Sequence, residues 1–180
     1  GNAMIDYFVN KYYSLPFDDG GKIALSGKVI ERLIDHLKQD KFVKRTPPKS
    51  TGRELYTKEF MENLVEKYAL DREKKEDVVA TITEFTAYSI AYNYQTYLGK
   101  IDRVIVNGGG SHNKYILKRL KEILNVDVIT GDEYGIPSDA KEAIAFAVLG
   151  HLTLTSRPGN VKSATGAKKS VVLGKITQKG

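Results

Sequence analysis

Apolar side chains recur at helical spacing through the first half of the chain. The clearest stripe lies between Ser26 and Gln39, opposite a charged face, and consists of Val29, Ile30, Leu33, Ile34 and Leu37. The same spacing predicts helices over Met4 to Tyr13, from Thr57 onward, and from about Lys74 to Leu98. Thr57 is a suitable N-cap because its side-chain oxygen can accept a hydrogen bond from the first helical turn. Residues 1–98 are therefore predicted to be mainly helical.

After Gly99 the pattern changes to short β-branched runs that alternate with amphipathic stretches. The predicted strands are Arg103 to Val106, Val126 to Thr130 and Val171 to Thr177, and the predicted helices are Asn113 to Leu124 and Asp139 to Thr153. Such alternation is typical of a sheet with helices packed on it. The predicted fold class is therefore α/β, with the α/β part in residues 99–180 and a helix-rich first half.

Three consecutive glycines, Gly108, Gly109 and Gly110, follow the first predicted strand and precede a helix. Consecutive glycines are costly to order, so they are tolerated where a backbone turns sharply or where another molecule comes very close. A strand, a glycine turn and a helix N-terminus together present backbone N–H groups that suit a nucleotide or a phosphate. A tight turn without a ligand fits the same pattern, and both interpretations stay open.

The glycine turn matches neither common phosphate-binding motif. The sequence lacks G-x-x-x-x-G-K-[ST], and Asn113 occupies the sixth position of a G-x-G-x-x-G alignment. The glycines must therefore serve another geometry. Asn107 and Asn113 flank the turn, and each could cap the helix or bond a ligand, although capping is the commoner use.

A second cluster follows Pro47 and Pro48, and it consists of Lys49, Ser50, Thr51 and Arg53 around Gly52. The two prolines stiffen the backbone before the cluster. Cationic side chains and small hydroxyl groups after such a segment are suited to binding a phosphate or sugar hydroxyls. The same residues also fit an exposed loop whose charges bind no ligand. Taken without the other clusters, they favour this second interpretation.

A third cluster pairs Asp139 with Glu142 at the start of a predicted helix. The spacing resembles a capping box, which would account for both carboxylates structurally. Glu142 also precedes the small apolar run Ala143 to Ala147, and a carboxylate at the mouth of a strand-to-helix crevice is where α/β proteins bind ligands. The three histidines lack the spacing of metal ligands, so no metal site is predicted.

Composition narrows the classes of function. The 180 residues carry a formal charge of +6, but the basic residues are mixed with acids, as in residues 71–77, which is typical of a solvated helix face. Nucleic-acid binding is therefore not predicted, whereas an anionic small molecule suits a basic domain. The absence of cysteine excludes disulfides and allows a reducing cytoplasm. Apolar stretches such as Ala143 to Gly150 are too short for a membrane span, which needs about 20 residues.

Taken in order, these clusters resemble the C-terminal half of the anhydro-N-acetylmuramic acid kinases. The resemblance runs through the whole chain, and each motif alone is weak, but several in one order are specific. The segments that carry it are residues 1–6, 49–54, 107–113, 135–147, 158–160, 165–167 and 172–174.

The resemblance implies an actin-like, sugar-kinase ATPase fold of two lobes with ATP and Mg²⁺ in the cleft between them. It implies a cytoplasmic enzyme of cell-wall recycling that opens the 1,6-anhydro ring of anhydro-N-acetylmuramic acid with water and phosphorylates O6. It also implies nucleotide contacts for Asn107, Gly108, Gly109 and Gly110, and a sugar contact for Glu142. Lys49, Ser50, Thr51 and Arg53 are expected near the cleft, with their ligand left open.

The chain departs from the family pattern because the upstream lobe, with its phosphate-gripping segment, is missing. The general-base aspartate is expected in an Asp-Thr-Gly-Pro run directly before Gly1, so no catalytic residue is assigned in this chain, and Asp6 is not its substitute. Residues 1–180 are accordingly predicted to form a single C-terminal lobe that is inactive alone. Such a lobe should expose apolar surface or form a homodimer. The alternative function is a non-catalytic module that binds a nucleotide or a sugar.

Overall fold

The computed structural model describes residues 2–52, 54–138 and 140–177. The chain divides into two compact units, of which the first comprises residues 1–45 and 51–138 and the second residues 46–50 and 139–180. Most of the predicted helical part and the first strands of the predicted α/β part therefore fall in one unit. That both units together make a single lobe stays a prediction.

The first unit is built around one long helix. Its α-helices are α1 Asn2–Tyr13, α2 Lys22–Ser26, α3 Glu31–Leu37, α4 Lys41–Lys44, α5 Lys58–Tyr68, α6 Lys75–Tyr97 and α7 Lys114–Leu124. Its 3-10 turns are Asp19–Gly21, Leu70–Arg72 and Gly109–His112. Helix α6 buries every residue from Val78 to Ala87, and α1, α2, α3, α4 and α7 all pack against it. The predicted bounds of α6 are confirmed to within one residue.

The helix predicted over Ser26 to Gln39 begins later than its apolar stripe indicates. The N–H of Ile30, which precedes α3, donates to Oγ1 of Thr81 on α6 at 2.9 Å. Gly27 lies so close to α6 that a Cβ on it would be 2.1 Å from the carbonyl oxygen of Glu76. The backbone N–H groups of Lys28 and Ile30 therefore donate to side chains of α6 rather than within a helix of their own.

The first unit also contains a parallel strand pair, β1 Arg103–Val106 and β2 Asp127–Thr130, in which Val104 lies opposite Val128. Helix α7 connects the two strands, as parallel pairing requires a crossover. The predicted class, α/β with a helix-rich first half, is thereby confirmed, although the sheet in the described residues has only these two strands.

The strand predicted over Val171 to Thr177 is wrong, since these residues, all of them described, form no strand. Their hydrogen bonds go to a loop and to a helix instead. The N–H of Val171 donates to Oδ1 of Asn160 at 2.8 Å, and the carbonyl of Leu173 accepts from the hydroxyl of Thr153. A β-branched run alone does not make a strand when no neighbouring strand offers a ladder.

The second unit contains α8 Lys141–Leu154 and the short α9 Lys162–Thr165. Helix α8, described along its whole length, buries none of its residues, although its sequence is mostly apolar. Phe146 is 72% exposed and Leu154 is 73% exposed. The capping residue predicted for this helix, Asp139, lies outside the described residues. In the part of the chain that the structure describes, no helix is long and apolar enough to span a membrane.

Candidate functional site

The glycine turn has a backbone that only glycine adopts readily. Gly108 follows β1 with φ +73° and ψ −173°, a region almost restricted to glycine. The N–H and the hydroxyl of Ser111 both donate to the carbonyl oxygen of Gly108, at 2.9 and 2.7 Å. The turn is therefore sharp and is stabilised by its own hydrogen bonds.

Asn113 caps α7. Its Oδ1 accepts hydrogen bonds from the N–H groups of Tyr115 at 3.1 Å and Ile116 at 3.2 Å, and the residue is only 8% exposed. The sequence left two roles open for Asn113, capping the helix or bonding a ligand, and the capping role is confirmed. The cap satisfies donors that would otherwise be unpaired at the start of the helix.

Asn107, the other flanking amide, is held differently. Its Oδ1 is buried and has no hydrogen-bond partner among the described residues. The amide packs against Gly131 at the end of β2, where a Cβ would lie 1.9 Å from Oδ1. The N–H of Gly131 donates to the carbonyl of Val106, so Asn107 lies where the carboxyl ends of both strands meet. In parallel sheets this edge is where ligands bind.

A cavity of about 450 Å³ lies beside the glycine turn, and it is called the turn cavity below. Helix α1 contributes Asn2 and Asp6, the loop before α2 contributes Phe17 and Asp19, and the turn contributes Gly109 and His112. The volume is within the range of about 300–1,000 Å³ typical of small-molecule sites.

The amide of Asn2 stands directly over the turn. Nδ2 of Asn2 would lie 3.4 Å from a Cβ on Gly109, and Oδ1 of Asn2 would lie 3.6 Å from a Cβ on Gly110. The start of α1 and the glycine turn therefore form one continuous wall of the cavity.

Two of the carboxylates at the turn cavity already have structural partners. Asp18 is buried, and its oxygens accept from the N–H groups of Ile23 and Ala24 at 2.9 and 3.0 Å. Asp19 pairs with Lys22, whose hydrogen bond holds the pKa of Asp19 below its ordinary value. Within the described part of the chain, no lysine or arginine lines this cavity. Its polar groups are therefore suited to hydroxyl and amino donors rather than to phosphate.

The cluster after the two prolines is divided between the units. Lys49 and Ser50 belong to the second unit and Thr51 to the first, while Arg53 lies outside the described residues. The hydroxyl of Thr51 and the N–H of Gly52 donate to the Glu54 carboxylate at 3.1 and 2.7 Å. These hydrogen bonds, of which the one from Gly52 has the largest effect, lower the pKa of the Glu54 carboxyl below its ordinary value. Thr51 does not line the turn cavity.

Glu142 lies in the first turn of α8, where its side chain is exposed. It belongs to the second unit, together with Lys49 and Ser50. A sugar contact by Glu142 stays a prediction, as do the ligand contacts of the other predicted site residues. In the described ranges, no group of His, Asp and Glu side chains could hold a metal ion.

Sequence reasoning missed Phe17 and Asp19 as walls of a cavity. They lie in a segment that the sequence marks only as a turn-rich loop, Pro16 to Gly21. The run Asp18-Asp19-Gly20-Gly21 offered a signal, because both glycines have positive φ and a carboxylate beside such a turn often caps the following helix.

A comparison with family models matches residues 1–179 to the anhydro-N-acetylmuramic acid kinases. The chain belongs to this family. The family expected from the motifs is therefore confirmed.

Relatives that carry this name share two fifths of their aligned residues with the chain. The protein of Clostridioides difficile strain 630 is 42% identical over 183 residues, covering 99% of this chain and 47% of the relative. That of Francisella tularensis subsp. novicida strain U112 is 42% identical, covering 98% and 46%. That of Bacillus cereus strain 03BB102 is 40% identical, covering 98% and 47%. The chain thus spans about half the length of the relatives it matches.

Proposed function

We propose that this chain is the C-terminal half of an anhydro-N-acetylmuramic acid kinase with an actin-like ATPase fold, and that the turn cavity holds the nucleoside end of ATP. The whole enzyme would open the 1,6-anhydro ring with water and phosphorylate O6, giving N-acetylmuramic acid 6-phosphate in cytoplasmic cell-wall recycling. The observation that carries the nucleotide assignment is the braced turn at Gly108, which forms one wall of a cavity with Asn2.

The chemistry of the turn cavity fits a nucleoside. Gly109, the glycine of the turn that lines this cavity, has no side chain, so a ribose or a base can approach its backbone closely. The Asn2 amide and the Asp19 carboxylate are suitable partners for base edges and ribose hydroxyls. Bound ATP would supply the phosphoryl group, and Mg²⁺ is commonly held by the phosphates and waters themselves.

Asn107 would keep the glycine turn in place. Its amide packs on Gly131 and its Oδ1 is buried without a partner among the described residues, so it can take a donor from a ligand or an ordered water. Gly108 to Gly110 would then be the nucleotide contacts and Asn107 a neighbour that orients them.

The remaining parts of the reaction centre would come from both halves of the enzyme. Glu142 is proposed as a sugar contact, and the general-base aspartate is proposed to lie in the residues that precede Gly1 in the parent protein. Because phosphoryl transfer depends on positioning and charge stabilisation, one half of the cleft should not catalyse it. These 180 residues are therefore proposed to be inactive alone.

The exposed helix α8 supports the proposal of a missing half. A helix that is apolar on most sides is normally buried. Ile144, Phe146, Val148 and Leu154 are each about half exposed or more. A second lobe, or a second copy of this chain, would cover them.

The test compares the complete parent protein with the 180-residue chain. Each is incubated with ATP, Mg²⁺ and anhydro-N-acetylmuramic acid, and products are identified by mass spectrometry. We expect the 6-phosphate from the complete protein and none from the chain. A parent that phosphorylates only unrelated sugars would overturn the substrate assignment, and turnover by the chain would overturn the half-enzyme assignment.

A non-catalytic binding module is the second candidate. One observation favours it, because the described residues that line the turn cavity all belong to the first unit. Calorimetry with ATP separates the two candidates, since half of a divided site should bind weakly. Tight ATP binding by this chain alone would support a self-sufficient module.

A further inference from the structure

The net charge of the chain is not shared evenly between its two units. The second unit holds eight of the 28 lysines and arginines but only two of the 22 acidic residues, so the whole formal charge of +6 lies in it. The first unit has as many acidic as basic residues. After Glu142 the sequence contains no acidic residue, so the cations of this segment have no carboxylate within it to pair with.

The cations of the second unit are exposed to solvent together with apolar side chains. Val161 is 62% exposed and Ile176 is 59% exposed, in the same segment as the cations. The described cations that follow α8 are all exposed, namely Arg157, Lys162, Lys168, Lys169 and Lys175. These five cations, with the exposed apolar side chains of α8 and of the residues after it, are called the basic apolar surface below.

The apolar side chains of α8 point in several directions, which does not suit a lipid surface. Successive residues of a helix point about 100° apart, so Ile144, Phe146 and Leu154 lie on different sides of it. A helix that lies on a membrane has a strongly charged face opposite its apolar face, whereas the only Lys, Arg, Asp or Glu residues of α8 are Lys141 and Glu142. With 14 residues it is also too short to span a bilayer. A protein surface that encloses the helix therefore fits better than a lipid surface.

Charge also argues against two other partners. A second copy of this chain would bring two units of charge +6 together, and like charges on facing surfaces are unfavourable. A nucleic acid would pair with the cations, but its charged phosphate backbone offers nothing to the apolar side chains of α8. A partner that fits must therefore combine apolar contacts with carboxylates.

We propose that the half of the parent protein outside this chain covers the basic apolar surface with an acidic face. The chain covers only 47% and 46% of two relatives that it matches, so a half of similar length remains to provide that face. Its apolar side chains pack on α8, and its carboxylates pair with Arg157 and the lysines that follow. Complementary charge favours one docking orientation over others. This inference rests on the proposed division of the enzyme into two halves.

The test is cross-linking of the complete parent protein with a carbodiimide, which joins a lysine amine to a carboxylate in direct contact. We expect cross-links from Lys162, Lys168 or Lys169 to Asp or Glu residues of the other half, identified by mass spectrometry after proteolysis. A mixture of isotope-labelled and unlabelled protein distinguishes cross-links between copies. Cross-links of these lysines only to carboxylates of residues 1–142, only between copies, or none at all, overturn the proposal.

A variant with reversed charges measures what the contact contributes. Lys162→Glu, Lys168→Glu and Lys169→Glu together in the complete protein should speed amide hydrogen exchange in α8 by about 10-fold, in line with the loss of several partly exposed ion pairs. The matched control reverses three exposed lysines of the first unit, Lys28, Lys74 and Lys100. It should leave exchange in α8 unchanged. The effect of the first variant should shrink in about 1 M salt, where the screening length is about 3 Å. Equal exchange in both variants overturns the proposal.

The outcomes separate this inference from the proposed reaction, because cross-linking does not require turnover. A parent that gives the expected cross-links but does not phosphorylate the anhydro sugar contradicts only the proposed reaction. A parent that forms the 6-phosphate while these lysines cross-link elsewhere overturns only the acidic face.

Discussion

The side-chain amide of Asn2 faces Gly109, with Nδ2 3.4 Å from the position that a Cβ on Gly109 would occupy. The two residues are far apart in the sequence, yet they make one surface of the turn cavity. A Cβ at position 109 would be in van der Waals contact with the amide, so the amide lies directly against the glycine turn. Asn2 is therefore a suitable side chain with which to test whether a ligand occupies the turn.

Replacement of Asn2 should weaken nucleotide binding in the complete protein. Asn2→Ala removes one amide that can bond a nucleoside, and a net hydrogen bond of about 1 kcal/mol corresponds to a rise of roughly 5-fold in KM for ATP. Asn10→Ala, an exposed position on the same helix, is the matched control. Steady-state kinetics with varied ATP measure both, and equal KM values for the two variants would contradict a nucleotide at the turn.

Gly108→Ala should destabilise the glycine turn by straining the backbone at position 108, without any steric clash of the new side chain. A Cβ at Gly108 meets no atom within 4 Å, but φ +73° is strained for alanine. Gly99 has φ +67° and equally open surroundings, so Gly99→Ala is the matched control. Both variants should lose about 1–2 kcal/mol of unfolding free energy.

The two glycine variants should differ in ligand binding. Only Gly108→Ala should weaken ATP binding, because only that residue shapes the turn, and calorimetry on the complete protein measures the difference. If Gly99→Ala weakened ATP binding as much as Gly108→Ala did, general destabilisation would explain the effect and the turn would lose its assigned role.

Elements that depend on local pattern were predictable. Thr57 caps α5 as its sequence position indicates, accepting from the N–H of Phe60 at 3.2 Å. Strand β1 has the predicted bounds, because a β-branched run ending in glycines is a strong local signal. The family motifs likewise predict the family to which the chain belongs.

Features that depend on distant residues were not predictable. The late start of α3 follows from bonds of residues 28 and 30 to α6, which no helical stripe encodes. The walls that Asn2 and Phe17 give to the turn cavity arise only when α1 and a loop meet the glycine turn. Periodicity describes one element at a time, whereas a site depends on which elements become neighbours.

The ion pair between Glu84 on α6 and Arg119 on α7 should be important for stability. Nε and Nη2 of Arg119 donate to the two carboxylate oxygens at 2.7 and 2.8 Å, and Tyr115 donates to the same carboxylate at 3.2 Å. Burial raises the pKa of the Tyr115 hydroxyl, and the charge of Glu84 raises it further. The hydroxyl therefore stays protonated and can donate. Arg119→Leu leaves a buried carboxylate without its cation and should lower the unfolding free energy by about 2–4 kcal/mol.

A more exposed pair provides the control for Arg119. Arg103 lies 3.3 Å from Asp127, and both side chains are about half exposed. Arg103→Leu should therefore cost less than about 1 kcal/mol. Urea denaturation of the chain and both variants measures the difference, and adding Glu84→Leu to Arg119→Leu should recover part of the loss. Equal losses for Arg119→Leu and Arg103→Leu would show that the α6–α7 pair contributes no more than a surface pair.

The exposed apolar side chains of α8 should make the 180-residue chain bind a hydrophobic dye or associate with itself. Replacing Phe146 and Leu154 together by serine removes two of the most exposed, so dye fluorescence and the sedimentation coefficient at high concentration should both fall. Leu98→Ser, at a 60% exposed apolar position in the first unit, is the control and should change neither. The complete protein should bind little dye, because we propose that its other half covers the helix. If the complete protein bound as much dye as the chain, α8 would not be the surface that joins the two halves.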